Sequence, residues 1–226
     1  MERIYVDKGL KSYFMNIYQY IAVNLALAGA VAFAVASNMT MFNLIVGTPL
    51  FYVVLFAPLG IVWYMGSNLQ RISVARAQGL YWAYGASIGA SISSIFIVYS
   101  MESIVRCFFM AAGVFMSAAI YGRFTSRDLS SMRSTLMIAL FGIIGVSFVN
   151  MFMNSSSLQY LLSVAIVVVF TGYIAYDMQQ LLAIYFTRQS DNDVEKISIM
   201  GALHLFIAMI NIFLALLQLF GDRRRR

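Results

Sequence analysis

Apolar runs alternate with short polar connections along the whole chain. An apolar run of about 18 residues or more is long enough to cross a bilayer as a helix. Runs of this kind predict membrane spans near residues 13–36, 44–65, 79–99, 104–122, 135–152, 158–182 and 199–220. The pattern therefore predicts an all-α fold, a polytopic membrane bundle of seven transmembrane helices, with one transmembrane domain over residues 1–226.

Composition excludes a soluble globular domain. Hydrophobic residues make up 62% of the chain, charged residues make up 11%, and the mean hydropathy is +0.82. So few charges could not cover the apolar surface of a soluble domain of 226 residues. A single cysteine, Cys107, excludes an intrachain disulfide, and one histidine with scattered acids falls short of a zinc site. We therefore expect a lipid bilayer around the chain and no cofactor.

Charged residues occur in three of the connections between the spans, "GSNLQRISVARAQ", "GRFTSRDLSSMRS" and "YFTRQSDNDVEK". Their basic residues are dispersed, with no basic helix or aromatic platform, which argues against a nucleic-acid partner. Positive charge marks cytoplasmic loops, so we expect a cytoplasmic N-terminus. The terminal "DRRRR" either follows a full crossing or a re-entrant last segment, and the length of the last apolar run favours a crossing.

Small residues recur at a spacing of four on two spans. Helices in lipid associate where small side chains let their backbones approach closely. The spacing predicts two packing faces, formed by Ala22, Ala26, Ala30 and Ala34 on the first span and by Gly85, Gly89 and Ser93 on the third.

The last span carries small and polar residues at intervals of three or four. These residues are Gly201, His204, Ala208, Asn211, Ala215 and Gln218. Because the other faces of this helix are Leu, Ile, Phe and Met, we expect the stripe to face inward and the last helix to be central in the bundle.

Asp177 is a carboxylate near the end of the sixth apolar run. A charge at the centre of a bilayer costs roughly 2.5–3.5 kcal/mol on insertion scales and less toward the interface. Tyr173 lies one turn before it and Gln180 lies three residues after it. Arg71 and His204 are candidate cationic partners on the same predicted side, and the alternative is a hydrated carboxylate at a helix end.

The stretch "GASIG", residues 85–89, matches the G-x-S-x-G pattern of serine hydrolases. That pattern requires a strained turn between a strand and a helix. Here it lies within a predicted helix whose glycines have a packing reason, so we expect no enzymatic activity.

Several stretches resemble the transmembrane Bax inhibitor motif family in its bacterial branch. They run in the family's order from the second span to the C-terminus: "FAPLGIVWYM", "RISVARAQGLYWAYGASIGASISSIF", "SIVRCFF", "IYGRFTSRDLSSM", "GYIAYDMQQL" and "ALHLFIAMINIFLALLQLFG". The resemblance implies seven helices with the last surrounded by the other six, and a pH-sensitive calcium leak. It also implies suppression of cell death and, in bacteria, association with a membrane protease.

The family's pH sensor resembles a pair of aspartates on the sixth and seventh helices. Asp177 matches the first, whereas Ala208 occupies the position of the second, and Met178 stands where the family usually has threonine. Two functions therefore remain, a calcium leak channel and a non-conducting modulator of a partner such as a membrane protease. The gate candidates are Asp177, His204, Arg71, Asn211, Tyr173 and Gln180, with calcium near Asp177 and a location in the bacterial inner membrane.

Overall fold

The structure, a computed structural model, describes residues 8–187 and 191–224. Across these residues the regular elements are helices: α1 Lys8–Ser37, α2 Met39–Val46, α3 Leu50–Asn68, α4 Val74–Ile92, α5 Ile95–Val98, α6 Met101–Phe124, α7 Met132–Met153, α8 Ser156–Thr187 and α9 Asp191–Phe220. Within the described residues, seven stretches are long and apolar enough to cross a membrane: Gly9–Ser37, Leu50–Asn68, Val74–Val98, Met101–Phe124, Met132–Met153, Ser156–Thr187 and Val194–Phe220. The predicted all-α fold with seven spans is confirmed.

The second span begins later than the sequence pattern predicts. Residues 44–46 belong to the short helix α2, which Asn38 caps by accepting hydrogen bonds from the N–H groups of Thr40 and Met41, each at 3.1 Å. The chain then turns through Gly47, Thr48 and Pro49 before α3. Because the pattern counts only apolar residues, it merged the end of α2 with α3 across this turn.

The chain divides into two compact units, and each is described by itself. Unit 1 contains the described residues of Met1–Ile97 and Ile184–Phe206, and unit 2 contains those of Val98–Ala183 and Ile207–Arg226. Helices α8 and α9 each contribute residues to both units. The single domain over residues 1–226 and the central position of the last helix stay predictions.

Unit 1 is built on close packing of α1 against α4. The Nδ2 atom of Asn24 donates to the carbonyl oxygen of Tyr81 at 3.2 Å. A Cβ atom on Gly85 would collide with the Asn24 side chain, and one on Gly89 would lie 3.0 Å from the Cα atom of Ala28. The predicted packing face of α4 is therefore confirmed.

The packing face predicted on α1 is wrong. The side of α1 that packs contains Ile17, Asn24, Ala28 and Ala32, whereas Ala22, Ala26, Ala30 and Ala34 are exposed. Alanine satisfies close packing and lipid contact equally, so its spacing alone does not identify the face that another helix covers.

Unit 2 ties the end of α9 to the start of α6. The N–H of Ser100 donates to the carbonyl of Asp222 at 3.1 Å, and the N–H of Arg224 donates to the carbonyl of Val98 at 2.9 Å. The Arg106 guanidinium also pairs with the Asp222 carboxylate at 3.0 Å. The end of the last helix therefore lies at the same end of unit 2 as the start of α6, which is the arrangement that alternate crossings produce.

Candidate functional site

The polar stripe on the last span separates into two edges. Gly201, Ala208 and Ala215 are buried, Asn211 is half-buried, and His204 and Gln218 are exposed. Gly201, Ala208 and Ala215 repeat every seven residues, and so do His204, Asn211 and Gln218. On an ideal helix the second set lies about 60° around the axis from the first. The small residues therefore pack, while the polar residues follow the least covered edge.

The inward orientation predicted for the whole stripe is wrong for His204, which is exposed, whereas Gln218 is exposed but hydrogen-bonds to Gln159 of α8. The last span is nevertheless the most covered of the seven: 72% of its apolar window is buried, against 11–39% in the other spans. Asn211 satisfies its own donor within the helix, because its Nδ2 atom donates to the carbonyl of Ile207 at 2.8 Å.

Asp177 lies half-buried on α8 in unit 2. Its carboxylate makes no hydrogen bond or ion pair with the described residues of that unit. Tyr173 and Gln180 are also half-buried on α8, one turn before and one turn after it. Asp177 therefore has no ion-pair or hydrogen-bond partner in the described part of unit 2, and Tyr173 and Gln180, its neighbours on α8, could accept or donate a hydrogen bond.

The two proposed cationic partners of Asp177 belong to unit 1. Arg71 is exposed in the connection between α3 and α4, where its N–H donates to the carbonyl of Asn68 at 2.8 Å. His204 is exposed on α9. The pairing of Asp177 with either residue stays a prediction, as does a calcium ion near Asp177. The described part of the chain holds no group of three or more His, Cys, Asp or Glu side chains that could bind a metal.

Gln179 was missed by the sequence reasoning, although it stands between Met178 and Gln180. Its Oε1 atom accepts from the N–H of Leu129 at 2.8 Å, and its Nε2 atom donates to the carbonyl of Arg127 at 2.8 Å. The side chain thus satisfies one backbone donor and one backbone acceptor of the connection between α6 and α7. The only signal was a second glutamine beside Gln180, because the partners lie about fifty residues earlier in the chain.

Asp128 shapes the same connection. Its carboxylate accepts from the N–H of Ser130 at 2.9 Å and from the Ser130 hydroxyl. Hydrogen bonds from the Ser130 side chain and then from its backbone hold the pKa of the Asp128 carboxyl below its usual value. The connection that Gln179 binds is therefore organised by an ionised aspartate.

Asn24 is a second polar residue that the sequence reasoning passed over. It is fully buried, and neither its Oδ1 atom nor the Tyr81 hydroxyl has a hydrogen-bond partner among the described residues. An isolated amide in the apolar run "IAVNLALAG" was the available signal. The Nδ2 atom of Asn24 donates to the carbonyl of Tyr81, and this hydrogen bond holds α1 against α4.

Ser87 lies inside α4, with no strand or turn before it. Its hydroxyl donates to the carbonyl of Tyr84 at 2.8 Å, a hydrogen bond within the helix. The glycines on either side pack against α1. The geometry that G-x-S-x-G requires for a nucleophile is therefore absent from this described stretch.

Known proteins align with nearly the whole length of this chain. Residues 10–225 match the sequence profile of a family described as inhibitor of apoptosis-promoting Bax1. The Rickettsia prowazekii protein RP147 is 38% identical over 218 residues, which cover 96% of this chain and 92% of the relative. The Escherichia coli inner membrane protein YbhL is 35% identical over 219 residues, covering 96% and 94%. A Caulobacter vibrioides protein is 34% identical over 229 residues, covering 97% and 92%.

Proposed function

We propose, from the premise that this chain belongs to the Bax inhibitor family, that it is a pH-sensitive calcium leak channel of a bacterial inner membrane. The seven spans and the name of the E. coli relative, an inner membrane protein, support the location. The N-terminus lies on the cytoplasmic side because the basic connections do. The protein acts without enzymatic chemistry and carries calcium as its cargo.

The proposed pH sensitivity of the leak depends on Asp177. The Asp177 carboxylate, which has no ion-pair partner among the described residues of its own unit, gains stability when ionised from a cation supplied by another part of the chain. That cation is Arg71 or His204. Protonation of Asp177 removes the attraction, so the helices can separate and calcium leaks faster in acid. Tyr173, Gln180 and Asn211 supply neutral polar groups beside the path of the ion.

The test is calcium flux into proteoliposomes across a pH series, comparing the wild type with Asp177→Asn. The variant should lose the pH dependence of the leak, because its side chain neither titrates nor pairs as an anion. Asp222→Asn is the matched control, since Asp222 is an exposed carboxylate paired with Arg106. An Asp177→Asn protein that titrates like the wild type would show that Asp177 is only a helix-end residue.

The shape of the same pH profile identifies the partner. With His204, the pair is complete only while the carboxylate is ionised and the imidazole is protonated, so the leak rises on both the acid and the alkaline side. With Arg71, protonation of Asp177 is the step that breaks the pair, so the leak rises only in acid.

A non-conducting modulator of a membrane protease is the second candidate, and Ala208 favours it. This residue is 1% exposed, so the position of the family's second aspartate is a packed alanine. A protein that passes no calcium in either form, yet co-purifies with a membrane protease, would support this function. A leak that becomes more pH-sensitive in Ala208→Asp would support the channel.

A further inference from the structure

A cavity of about 830 Å³ opens in unit 2 between the end of α7, the start of α8 and the end of α9. Polar side chains dominate its lining, and no acidic side chain of the described residues is among them. Arg223 contributes the charge. Because the lining carries a cationic side chain and no acidic one, the cavity favours an anion over a calcium ion.

Three amide side chains in the cavity wall form a relay with a fixed direction. The N–H of Ser155 donates to Asn150 Oδ1 at 3.1 Å, and a backbone N–H can only donate. Asn150 Nδ2 must then donate to Gln159 Oε1, at 3.2 Å, and Gln159 Nε2 to Gln218 Oε1, at 2.6 Å. Because each oxygen is occupied, the amino group of Gln218 is left over at the end of the relay.

Ser163, on α8, lies beside the last amide of the relay. It is 1% exposed, and its single hydroxyl proton is shared between two acceptors, Gln218 Oε1 at 2.8 Å and the carbonyl of Gln159 at 2.9 Å. Donation from Gln159 Nε2 to Gln218 Oε1 holds the Gln218 amide in one orientation. Its Nε2 atom has no acceptor in the described part of unit 2, so it presents donors to the cavity.

Arg223 also lines this cavity. Its backbone pairs with Tyr99, but its guanidinium makes no hydrogen bond or ion pair with the described residues of unit 2. The carboxylate of Asp222 is already paired with Arg106. A guanidinium and an amide donor on residues that line one cavity are suited to an oxyanion, and a guanidinium matches the geometry of a phosphate.

The surroundings of the cavity are apolar and exposed. Phe152, Met153 and Leu161 are 70%, 64% and 61% exposed at the end of α7 and the start of α8. In a bilayer these side chains lie against lipid, so an occupant of the cavity has acyl chains available beside it. We propose that this cavity binds the phosphate group of an anionic phospholipid, with Arg223 and Gln218 as the ligand-binding residues.

The experiment measures lipid retained by the detergent-purified full chain in native mass spectrometry. The two probes are phosphatidylglycerol and a diacylglycerol with the same acyl chains, which lacks the phosphate. We expect phosphatidylglycerol to bind about tenfold more tightly, the effect of one charge-assisted contact. Equal retention of the two lipids would mean that the cavity binds only acyl chains, and would overturn the proposal.

Matched variants test the residues. Arg223→Gln should weaken phosphatidylglycerol binding about tenfold and leave diacylglycerol binding unchanged. Gln218→Leu should also weaken it, provided that its thermal unfolding in detergent resembles that of the wild type. Arg224→Gln removes the same charge from an exposed neighbour that does not line the cavity, so its affinity should remain within about twofold.

Two further outcomes would contradict the assignment. If Arg224→Gln weakens binding as much as Arg223→Gln, the lipid is attracted by general charge at the chain end and not by the cavity. If inorganic phosphate at millimolar concentration displaces all phosphatidylglycerol, the site takes a soluble anion and the lipid assignment is wrong. Neither result bears on calcium flux, so this proposal and the proposed channel fail separately.

Discussion

At the residue scale, this chain uses neutral amides for tasks that charged side chains perform in water. Gln179 binds the connection between α6 and α7, Asn24 holds α1 against α4, and Gln218 ends the relay in the cavity wall. An amide satisfies a donor and an acceptor at once and loses less on leaving water than a charge does. Asp128 is charged because it lies in an exposed connection.

The turn at Asp128 should weaken in acid. The pKa of the Asp128 carboxyl is lowered in the folded protein. Its hydrogen bonds from Ser130 therefore stabilise the turn fully above the pKa of an unfolded aspartate, about 4. This stabilisation disappears as the pH falls through the lower pKa of the folded state. Hydrogen exchange at the Ser130 amide should therefore lose protection below about pH 4, once corrected for intrinsic exchange rates.

Asp128→Asn is the control for this turn. Its amide oxygen still accepts from the Ser130 N–H but does not titrate in this range. The corrected protection in this variant should be independent of pH. Protection that disappears in acid with the same midpoint in both proteins would show that another group governs the turn.

At the scale of helices, close approach in unit 2 depends on Gly122. A Cβ atom on Gly122 would lie 2.7 Å from the Cα atom of Ala175, whereas one on Gly113 would meet nothing within 4 Å. Both glycines lie on α6, two and a half turns apart, so they share a helix and differ in what they face.

Gly122→Ala should destabilise the protein by about 1–3 kcal/mol, because backbone atoms of α8 cannot move away as a flexible side chain would. Gly113→Ala should be neutral or slightly stabilising, since alanine favours a helix by up to about 1 kcal/mol over glycine. Unfolding in mixed micelles with increasing SDS measures both. Equal losses in the two variants would mean that α6 and α8 are not closely packed at Gly122.

How much of this could be predicted depends on how far apart the interacting residues lie in the chain. The seven spans follow from length and apolarity, which are local properties, and the sequence pattern located them. The faces of the helices are not local. The alanines of α1 fit lipid as well as a neighbouring helix, and Gln179 finds its partners about fifty residues away.

The candidate site also has features that the local sequence indicates and features that depend on distant residues. The polar residues of α9 could be identified from spacing, but the displacement of His204 and Gln218 toward the uncovered edge required the neighbouring helices. The cavity relay joins α7, α8 and α9, and nothing in the local sequence at Asn150 or Gln159 indicated it. Periodicity describes one helix, whereas a site of this kind is made by three.

At the scale of the whole molecule, alternate crossings place the connection after α6 and the connection after α7 on opposite sides of the membrane. Cys107 is fully buried, and as the sole cysteine it can be replaced by alanine to give a background for labelling. Ser126 is exposed in the connection after α6, and Ser157 is exposed in the first turn of α8, next to the connection after α7.

In that background, Ser157→Cys should react with a membrane-impermeant maleimide in spheroplasts, and Ser126→Cys should react only after lysis. This is the result for a cytoplasmic N-terminus, because the connection after α6 then faces the cytoplasm. The reverse labelling would mean that the orientation is inverted. Labelling of both positions in intact spheroplasts would contradict alternate crossings.

The length of α8 bears on how protons reach Asp177. Its 32 residues measure about 48 Å at 1.5 Å per residue, which exceeds the roughly 30 Å hydrocarbon layer of a bilayer. Asp177 is 21 residues after Ser156, or about 32 Å along the axis. If the start of α8 lies at the outer boundary of the hydrocarbon, Asp177 reaches the inner boundary. The carboxylate would then exchange protons directly with cytoplasmic water, and the leak would respond to the acidity of the cell interior and not to that of the medium.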